Sequence, residues 1–174
     1  DSFTIEPPPE ISTPDLAVGD MPGMPEAMKS FDMESLMHSG VVATRRAYGI
    51  ALRALGRVNK KVVVLDADVS NSTFSEMFKK DSGSADRFFE CKIAEQNMVG
   101  VGAGLSAAGK IPFISTFSKF FTRAYDQIEM AIYSGANLKL VGSHSGITLA
   151  SDGPSQMSLP DVAWFRSLGT MKDH

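Results

Sequence analysis

The sequence predicts an α/β protein with three layers, α/β/α, in which helices cover both faces of a mostly parallel, doubly wound sheet. From Ala43 onward, short apolar runs alternate with longer segments whose apolar residues recur at helical spacing. The run 61–66 (KVVVLD) is rich in β-branched residues without polar alternation, which is typical of a strand buried on both faces. Strands that alternate with helices in this way form parallel sheets covered on both sides.

Five helices are predicted along the chain. The first, over 43–58, is amphipathic, with Ile50 and Ala54 on its apolar face and most of its arginines on the other face. Thr73 and Glu76 have the spacing of a capping box, which predicts a short helix from there to about residue 80. The remaining helices are predicted over 95–109 and about 119–135, and from near residue 159 onward.

Three more strands complete the predicted sheet. Phe88, Phe89, Cys91 and Ile93 have the apolar character of the end of a buried strand that runs into the helix at Glu95. The other two strands are predicted over 111–117 and 138–143, and a loop rich in Gly, Ser, Asp and Pro follows over 144–158.

The length and composition fit one globular domain with an arm before it. Six of the nine prolines lie within residues 1–40, which we interpret as a Pro-rich linker or wrapping segment preceding a domain over 41–174. A net charge of -3 offers no basic surface for nucleic acid or an anionic membrane. No apolar run reaches the roughly 18 residues of a transmembrane helix. The single cysteine, Cys91, fits a reducing compartment, and three scattered histidines do not have metal-ligand spacing.

Polar and aromatic residues follow each predicted strand, and a parallel sheet brings all of these strand ends to one edge. Glu95 lies between a strand and a helix, where a carboxylate either stabilises the helix start or faces a ligand. Together the strand ends predict a crevice for a flat ligand with polar edges. The residues expected there are Asp66, Asp68, Asn71, Ser72, Glu95, Gln96, Phe117, Phe120, Phe121, Arg123, His144, Asp152 and Gln156.

Several of these segments together resemble one known family. The segments 93–98 (IAEQNM), 115–124 (STFSKFFTRA) and 142–157 (GSHSG…DGPSQM), with 43–49 and 71–76 in the same order, strongly resemble the central, pyrimidine-binding domain of transketolases. The likeness runs from about residue 43 to residue 168, and the Pro-rich arm resembles the linker before that domain. Gln156 makes the pattern closer to animal-like transketolases than to the yeast type.

The resemblance implies a thiamine diphosphate enzyme with this domain binding the cofactor's pyrimidine. In that family a carboxylic group hydrogen-bonded to the pyrimidine N1′ promotes the imino tautomer that removes the C2 proton. This role would fall to Glu95, in a surround expected to be apolar. Phe117 and Phe120 would pack on the pyrimidine ring. Asp68 would approach the thiazolium.

The same resemblance implies sugar phosphates, of the xylulose 5-phosphate and ribose 5-phosphate type, as substrates. Arg45 and Ser72 would hold the phosphate through charge-assisted hydrogen bonds. His144 and Asp152 would hydrogen-bond the sugar hydroxyls, with Gln156 nearby. The reaction would transfer a two-carbon ketol unit from a ketose phosphate to an aldose phosphate, a step of the pentose phosphate pathway.

The sequence lacks the GDG…Asn signature with which thiamine enzymes hold the diphosphate and its metal. The resemblance therefore implies that a magnesium or calcium ion is bound by another domain, supplied by the partner subunit of a homodimer. We expect the chain alone to be inactive and the enzyme to be cytoplasmic. Small residues around Gly100 to Ala108 would suit a tight helix contact in such a dimer.

Three alternatives remain open at this stage. The chain resembles, less closely, the corresponding domains of 1-deoxyxylulose 5-phosphate synthase and of the β subunit of 2-oxo acid dehydrogenases, which share the acid at the helix start. The segment Asp152 to Gln156, with Arg45 and Ser72, favours a transketolase over the dehydrogenases. A noncatalytic α/β binding domain that kept the fold is the third alternative.

Overall fold

The computed structural model describes residues 40–147, 149 and 151–169. The arm predicted over 1–40 lies outside the described residues, except for Gly40. Within them, four strands form one sheet in the order β2-β1-β3-β4, and every neighbouring pair is parallel. The strands are β1 Val62–Asp66, β2 Phe88–Glu90, β3 Ile111–Phe117 and β4 Lys139–Ser143.

Six α-helices and two 3₁₀ segments surround this sheet in the described part of the chain. The α-helices are α1 Thr44–Val58, α2 Ser70–Thr73, α3 Glu76–Lys79, α4 Glu95–Ala107, α5 Tyr125–Tyr133 and α6 Asp161–Leu168. The 3₁₀ segments are Ala85–Arg87 before β2 and Ser118–Ala124 directly after β3.

Alternate residues of β1 face two separate hydrophobic clusters, which places helices on both faces of the sheet. Val62 and Val64 pack in a cluster with α1 and α3. Val63 and Leu65 pack in a second cluster with α4, α5 and α6. All five residues of β1 are buried, as the β-branched run predicts. The prediction of a three-layer, doubly wound α/β/α fold is therefore confirmed, and the four described strands are all parallel.

The predicted capping box at Thr73 and Glu76 is wrong. Thr73 is the last residue of α2, and its hydroxyl donates to Oδ2 of the buried Asp66 at 2.9 Å. Helix α3 starts at Glu76 after Ser75, with no side-chain capping bond. The hydroxyl that the local pattern assigns to a helix end thus donates to a carboxylate seven residues earlier, at the end of β1.

The second strand is shorter and more exposed than predicted. It ends at Glu90, so Cys91 and Ile93 lie outside it, and Phe89 and Ile93 are 38% and 72% exposed. Strand β2 lies at the edge of the sheet and pairs only with β1 among the described strands. A short edge strand has a neighbouring strand on one side only, so fewer side chains pack around it than around a central strand, which explains the difference.

The single long helix predicted over 119–135 is also wrong. The segment consists of the 3₁₀ helix Ser118–Ala124 followed by the α-helix Tyr125–Tyr133. A 3₁₀ helix has three residues per turn, so every third side chain lies on the same face. Ser118, Phe121 and Ala124 form its buried face against the sheet.

Candidate active site

The predicted site residues lie at the carboxyl edge of the sheet, where the strand order reverses. Strand β1 has β2 on one side and β3 on the other, so the connection from β2 to β3 passes over β1. The reversal falls between the carboxyl ends of β1 and β3, at Asp66 and its register partner Ser115. This is the position where doubly wound sheets bind ligands.

Strained backbone is concentrated at this edge. Four non-glycine residues of the described chain have positive φ: Asp68 at 63°, Phe74 at 63°, Lys92 at 57° and His144 at 55°. All four lie in connections that leave the carboxyl ends of strands. Such conformations are uncommon outside glycine and concentrate at functional sites, where the surrounding structure holds them in place. Glu90 helps to do so, because its Oε1 accepts from the backbone N–H of Asp68 and of Lys92 at 3.0 and 3.2 Å.

Glu95 is the first residue of α4 and is only 3% exposed. Its Oε1 accepts a hydrogen bond from Nη1 of Arg123 at 2.6 Å, and Oε2 has no hydrogen-bond partner among the described residues. The expectation of an apolar surround is therefore wrong, since a guanidinium pairs with the carboxylate. The helix start supplies further positive potential to the same group.

An aromatic pair lies beside this ion pair. The rings of Phe117 and Phe120 stack with centroids 5.0 Å apart and an interplanar angle of 12°. The guanidinium of Arg123 lies 4.4 Å from the Phe120 centroid, and the imidazole of His144 lies 4.2 Å from the Phe117 centroid. The aromatic wall predicted from the sequence therefore forms, with a cation at one end and a histidine at the other.

The proposed phosphate ligands meet at the opposite end of the site. Nη1 of Arg45 donates to the backbone carbonyl of Ser72 at 3.1 Å and lies 3.1 Å from Nε2 of His144. The Arg45 guanidinium also lies 5.4 Å from the centroid of the Phe74 ring. A continuous series of contacts thus runs from Glu95 through the aromatic pair to Arg45.

The environment of His144 determines its protonation. Because Arg45 can only donate, Nε2 of His144 accepts, and the proton on Nδ1 donates to Oγ of Ser143 at 2.8 Å. Burial, and then the charge of Arg45, lower the pKa of His144 below its ordinary value of 6.5, while Asp152 opposes them. His144 is therefore neutral at pH 7.

We expect Arg45→Gln to raise the pKa of His144 towards 6.5, since the substitution removes one of the two causes that lower it. Asp152→Asn should lower the pKa further. Proton NMR titration of the imidazole signals measures both shifts, with His144→Gln to assign the resonance. Arg46→Gln, at the exposed neighbouring position, is the matched control. An unchanged His144 pKa in Arg45→Gln would contradict the pairing.

The buried carboxylate of Asp66, at the end of β1, holds in place the segment whose Ser72 carbonyl accepts a hydrogen bond from Arg45. Oδ1 of Asp66 accepts from the backbone N–H of Val69 at 2.8 Å, and Oδ2 accepts from the hydroxyls of Thr73 and Ser75 at 2.9 and 2.8 Å. Burial raises the pKa of Asp66 to about 6, against the effect of these hydrogen bonds. The turn between Val69 and Ser75 carries the Ser72 carbonyl and is fixed by this network.

Three other predicted site residues, Asp68, Asp152 and Gln156, lie outside the series of contacts from Glu95 to Arg45. The side chain of Asp68 is exposed and makes none of these contacts. Asp152 and Gln156 lie in the loop after β4, which is closed by a 2.7 Å bond from the Gly146 N–H to the Ser158 carbonyl. Asp152 is exposed and close enough to His144 to influence its pKa, whereas Gln156 accepts from Ser155.

A cleft of about 560 Å³ opens between the start of α1 and the end of β4. Arg45, Tyr48 and His144 line it. The Tyr48 hydroxyl shares a 2.7 Å hydrogen bond with Oγ of Ser115, and burial raises the pKa of Tyr48. Glu95 and Phe120 do not line this cleft and connect to it through Phe117 and His144. The cleft therefore belongs to the proposed substrate end of the site.

Two negative findings apply to the described residues. They contain no group of three or more His, Cys, Asp or Glu side chains arranged to hold a metal ion. None of their helices has the length and apolar character needed to cross a membrane.

No role was assigned to Arg123, Tyr48 or Glu90 from the sequence. Arg123 was expected at the strand ends, but its pairing with Glu95 joins residues 28 positions apart and has no local signal. Its place three residues after Phe120 puts both side chains on neighbouring positions of a helix surface, but only a 3₁₀ helix also brings Phe117 onto that face.

The fold and the site define a doubly wound α/β domain that carries a paired carboxylate and stacked aromatic rings at the carboxyl edge of its sheet. The family model "Transketolase, pyrimidine binding domain" matches residues 41–172. The chain belongs to this family. Its identity to curated transketolases favours a transketolase over the synthase and dehydrogenase alternatives.

Known transketolases are similar to the chain over most of its length. It is 54% identical to transketolase from Mus musculus over 128 residues, 73% of this chain and 20% of that protein. It is 54% identical to transketolase from Homo sapiens over 130 residues, 74% of this chain and 20% of that protein. The chain thus spans about a fifth of the length of these curated relatives.

Solved structures agree with the fold. Transketolase from Leishmania mexicana matches with a TM-score of 0.66 and 27% identity, covering 72% of this chain and 20% of that one. A structure described as a split gene transketolase, inactive beta4 tetramer, matches with a TM-score of 0.59 and 45% identity, covering 72% of this chain and 40% of that one.

Proposed function

We propose that this chain is the central domain of a transketolase that transfers a two-carbon ketol unit from a ketose phosphate to an aldose phosphate. The donor and acceptor would be of the xylulose 5-phosphate and ribose 5-phosphate type. The observation that carries the proposal is the continuous site from Glu95 to Arg45, in a chain that belongs to the transketolase family. The enzyme would act in the cytoplasm, in the pentose phosphate pathway.

The residues present fit the aminopyrimidine of thiamine diphosphate. Glu95 offers Oε2, which has no hydrogen-bond partner among the described residues, at the buried start of a helix. Phe117 and Phe120 offer stacked rings next to it. When bound, the cofactor supplies the nucleophilic carbon that accepts the two-carbon unit. Glu95 would hold the proton at the pyrimidine N1′, and the two rings would fix the pyrimidine's orientation.

The substrate end would use the cleft between α1 and β4. Arg45 presents a guanidinium, which suits a phosphate group, and the Ser72 hydroxyl is nearby on the turn held by Asp66. The neutral His144 and the exposed Asp152 would bind the sugar hydroxyls, with Gln156 at the same loop. Asp68 would face the thiazolium side of the crevice.

A second subunit would complete the site. The diphosphate and its magnesium or calcium ion would be held by the diphosphate-binding domain of the partner in a homodimer. Gly100, Val101 and Gly104 leave one side of α4 exposed for a close helix contact. The relative described as an inactive split gene beta4 tetramer supports the expectation that this chain is inactive alone.

The test is a complementation assay. Residues 41–169 replace the equivalent domain of mouse transketolase, which gives a protein that we call the assembled enzyme. We expect it to transfer ketol units from xylulose 5-phosphate to ribose 5-phosphate with thiamine diphosphate and magnesium, and the chain alone to show no transfer. A folded assembled enzyme that binds the cofactor without turnover would instead favour a noncatalytic binding domain.

A further inference from the structure

The 3₁₀ helix after β3 sorts its side chains into three faces. With three residues per turn, residues i and i+3 are eclipsed. Ser118, Phe121 and Ala124 form the buried face. Phe117, which precedes the helix, shares a second face with Phe120 and Arg123. In an α-helix, Arg123 would lie about 120° away from the direction of Phe117, so only the 3₁₀ form aligns all three.

The contacts follow this alignment. Phe120 stacks on Phe117, and the Arg123 guanidinium covers Phe120 at 4.4 Å from its centroid. The same guanidinium donates to Oε1 of Glu95 at 2.6 Å. Arg123 therefore joins two structural elements, since Glu95 begins α4 and Phe120 lies in the 3₁₀ helix.

Arg123 and Glu95 differ in solvent exposure, and this difference shows which of the two depends on the other for its position. The side chain of Arg123 is 49% exposed, whereas that of Glu95 is 3% exposed. A buried carboxylate that loses its charged partner is destabilised and tends to move or change its hydrogen bonds, while an exposed guanidinium is solvated by water. Glu95 therefore depends on Arg123 for its position more than Arg123 depends on Glu95.

We propose that Arg123 is a positioning residue, which holds the Glu95 carboxylate and the Phe120 ring in one fixed relation and thereby sets the affinity for the cofactor's aminopyrimidine. This inference rests on the proposed function. Because Arg123 bonds only Oε1 of Glu95, Oε2 stays available to bond the pyrimidine N1′. Arg123 also holds the Phe120 ring against Phe117 before the cofactor binds. Binding then needs less ordering of side chains, which increases affinity. A planar guanidinium is required to stack and to pair at the same time, and a lysine ammonium satisfies only the pair.

The test measures thiamine diphosphate binding to the assembled enzyme by isothermal titration calorimetry, with magnesium and without sugar phosphate. We expect Arg123→Gln to raise the dissociation constant by about tenfold or more. Arg123→Lys should recover part of the loss because the ion pair persists. Lys119→Gln removes the same charge from another face of the same 3₁₀ helix, and its binding should stay within about twofold of the unsubstituted protein. The KM for xylulose 5-phosphate should not change in any variant at saturating cofactor.

A double-mutant cycle separates positioning from a general structural effect. If Arg123 acts through Glu95, Arg123→Gln should have much less effect on binding in a Glu95→Gln background. Equal effects in both backgrounds, or unchanged binding in Arg123→Gln alone, would overturn the proposal. A parent protein that does not bind thiamine diphosphate at all would instead overturn the proposed function, so the two failures are distinguishable.

Discussion

In the assembled enzyme, Glu95→Gln should lower kcat for ketol transfer by roughly 10²- to 10⁴-fold, the usual contribution of a positioned acid or base. Glutamine has nearly the same shape, but it cannot exchange a proton with the pyrimidine N1′. The substitution also removes the anion that Arg123 pairs with at 2.6 Å. The measurement is steady-state kinetics at saturating thiamine diphosphate and magnesium.

Glu129→Gln is the matched control for this experiment, because Glu129 is a half-buried carboxylate on α5, outside the proposed site. It should retain kcat within about twofold, as expected for a substitution remote from the reacting groups. Full activity in Glu95→Gln would show that the carboxylate is not the proton-holding group. The transketolase mechanism proposed for this chain would then need a different acid.

Phe78→Ala should reduce the free energy of unfolding of this chain by about 3–5 kcal/mol. The Phe78 ring is fully buried among Leu52, Val62 and Val64, between α1 and the sheet. Its ring also fills the space where Gly56 has no side chain, since a Cβ there would lie 2.3 Å from a ring carbon. Truncation therefore leaves a cavity that the surrounding backbone cannot easily close.

Phe89→Ala is the control with the same chemical change at a position that is 38% exposed. It should cost only about 1–2 kcal/mol, since more than a third of this residue is already in water and truncation leaves no closed cavity. Urea unfolding followed by circular dichroism compares the two variants. Equal losses would contradict the assignment of β2 as a half-exposed edge strand.

The strands show what composition alone can predict. The run 61–66 was expected to be buried on both faces, and β1 is buried throughout. The strand predicted over 111–117 matches β3 at both ends. These two strands lie in the middle of the sheet. Central parallel strands are covered on both faces, so their residues are mostly apolar, and an apolar run predicts such a strand correctly.

The failures arise where a contact outside the local pattern decides the local structure. Thr73 has the local pattern of a helix cap, but its hydroxyl bonds to Asp66, seven residues earlier. Phe89 was expected to be buried, but the sheet order places its strand at the edge. Strand order and side-chain pairing are properties of the whole fold, and no window of sequence contains them.

The candidate site was predictable to a similar degree. Glu95, Phe117, Phe120 and His144 were expected at one sheet edge, and Arg45 was added by the resemblance. The structure brings all five into one series of contacts. The resemblance assigned their roles, which the experiments above test. The surround of Glu95 was wrongly expected to be apolar, because its cation lies 28 residues later, on a separate element.

The helix Ser118–Ala124 has three residues per turn, so the face on which each side chain lies depends on its position counted from the start of the helix. One residue inserted after Phe120 would rotate all later side chains by about 120°. Thr122 would then occupy the face next to Glu95, and Arg123 would be turned towards the core in place of Ala124. One residue deleted there would bring Ala124 to Glu95 instead. The number of residues in this short helix thus determines which side chain faces the Glu95 carboxylate. An insertion or a deletion changes that side chain even though no residue is substituted.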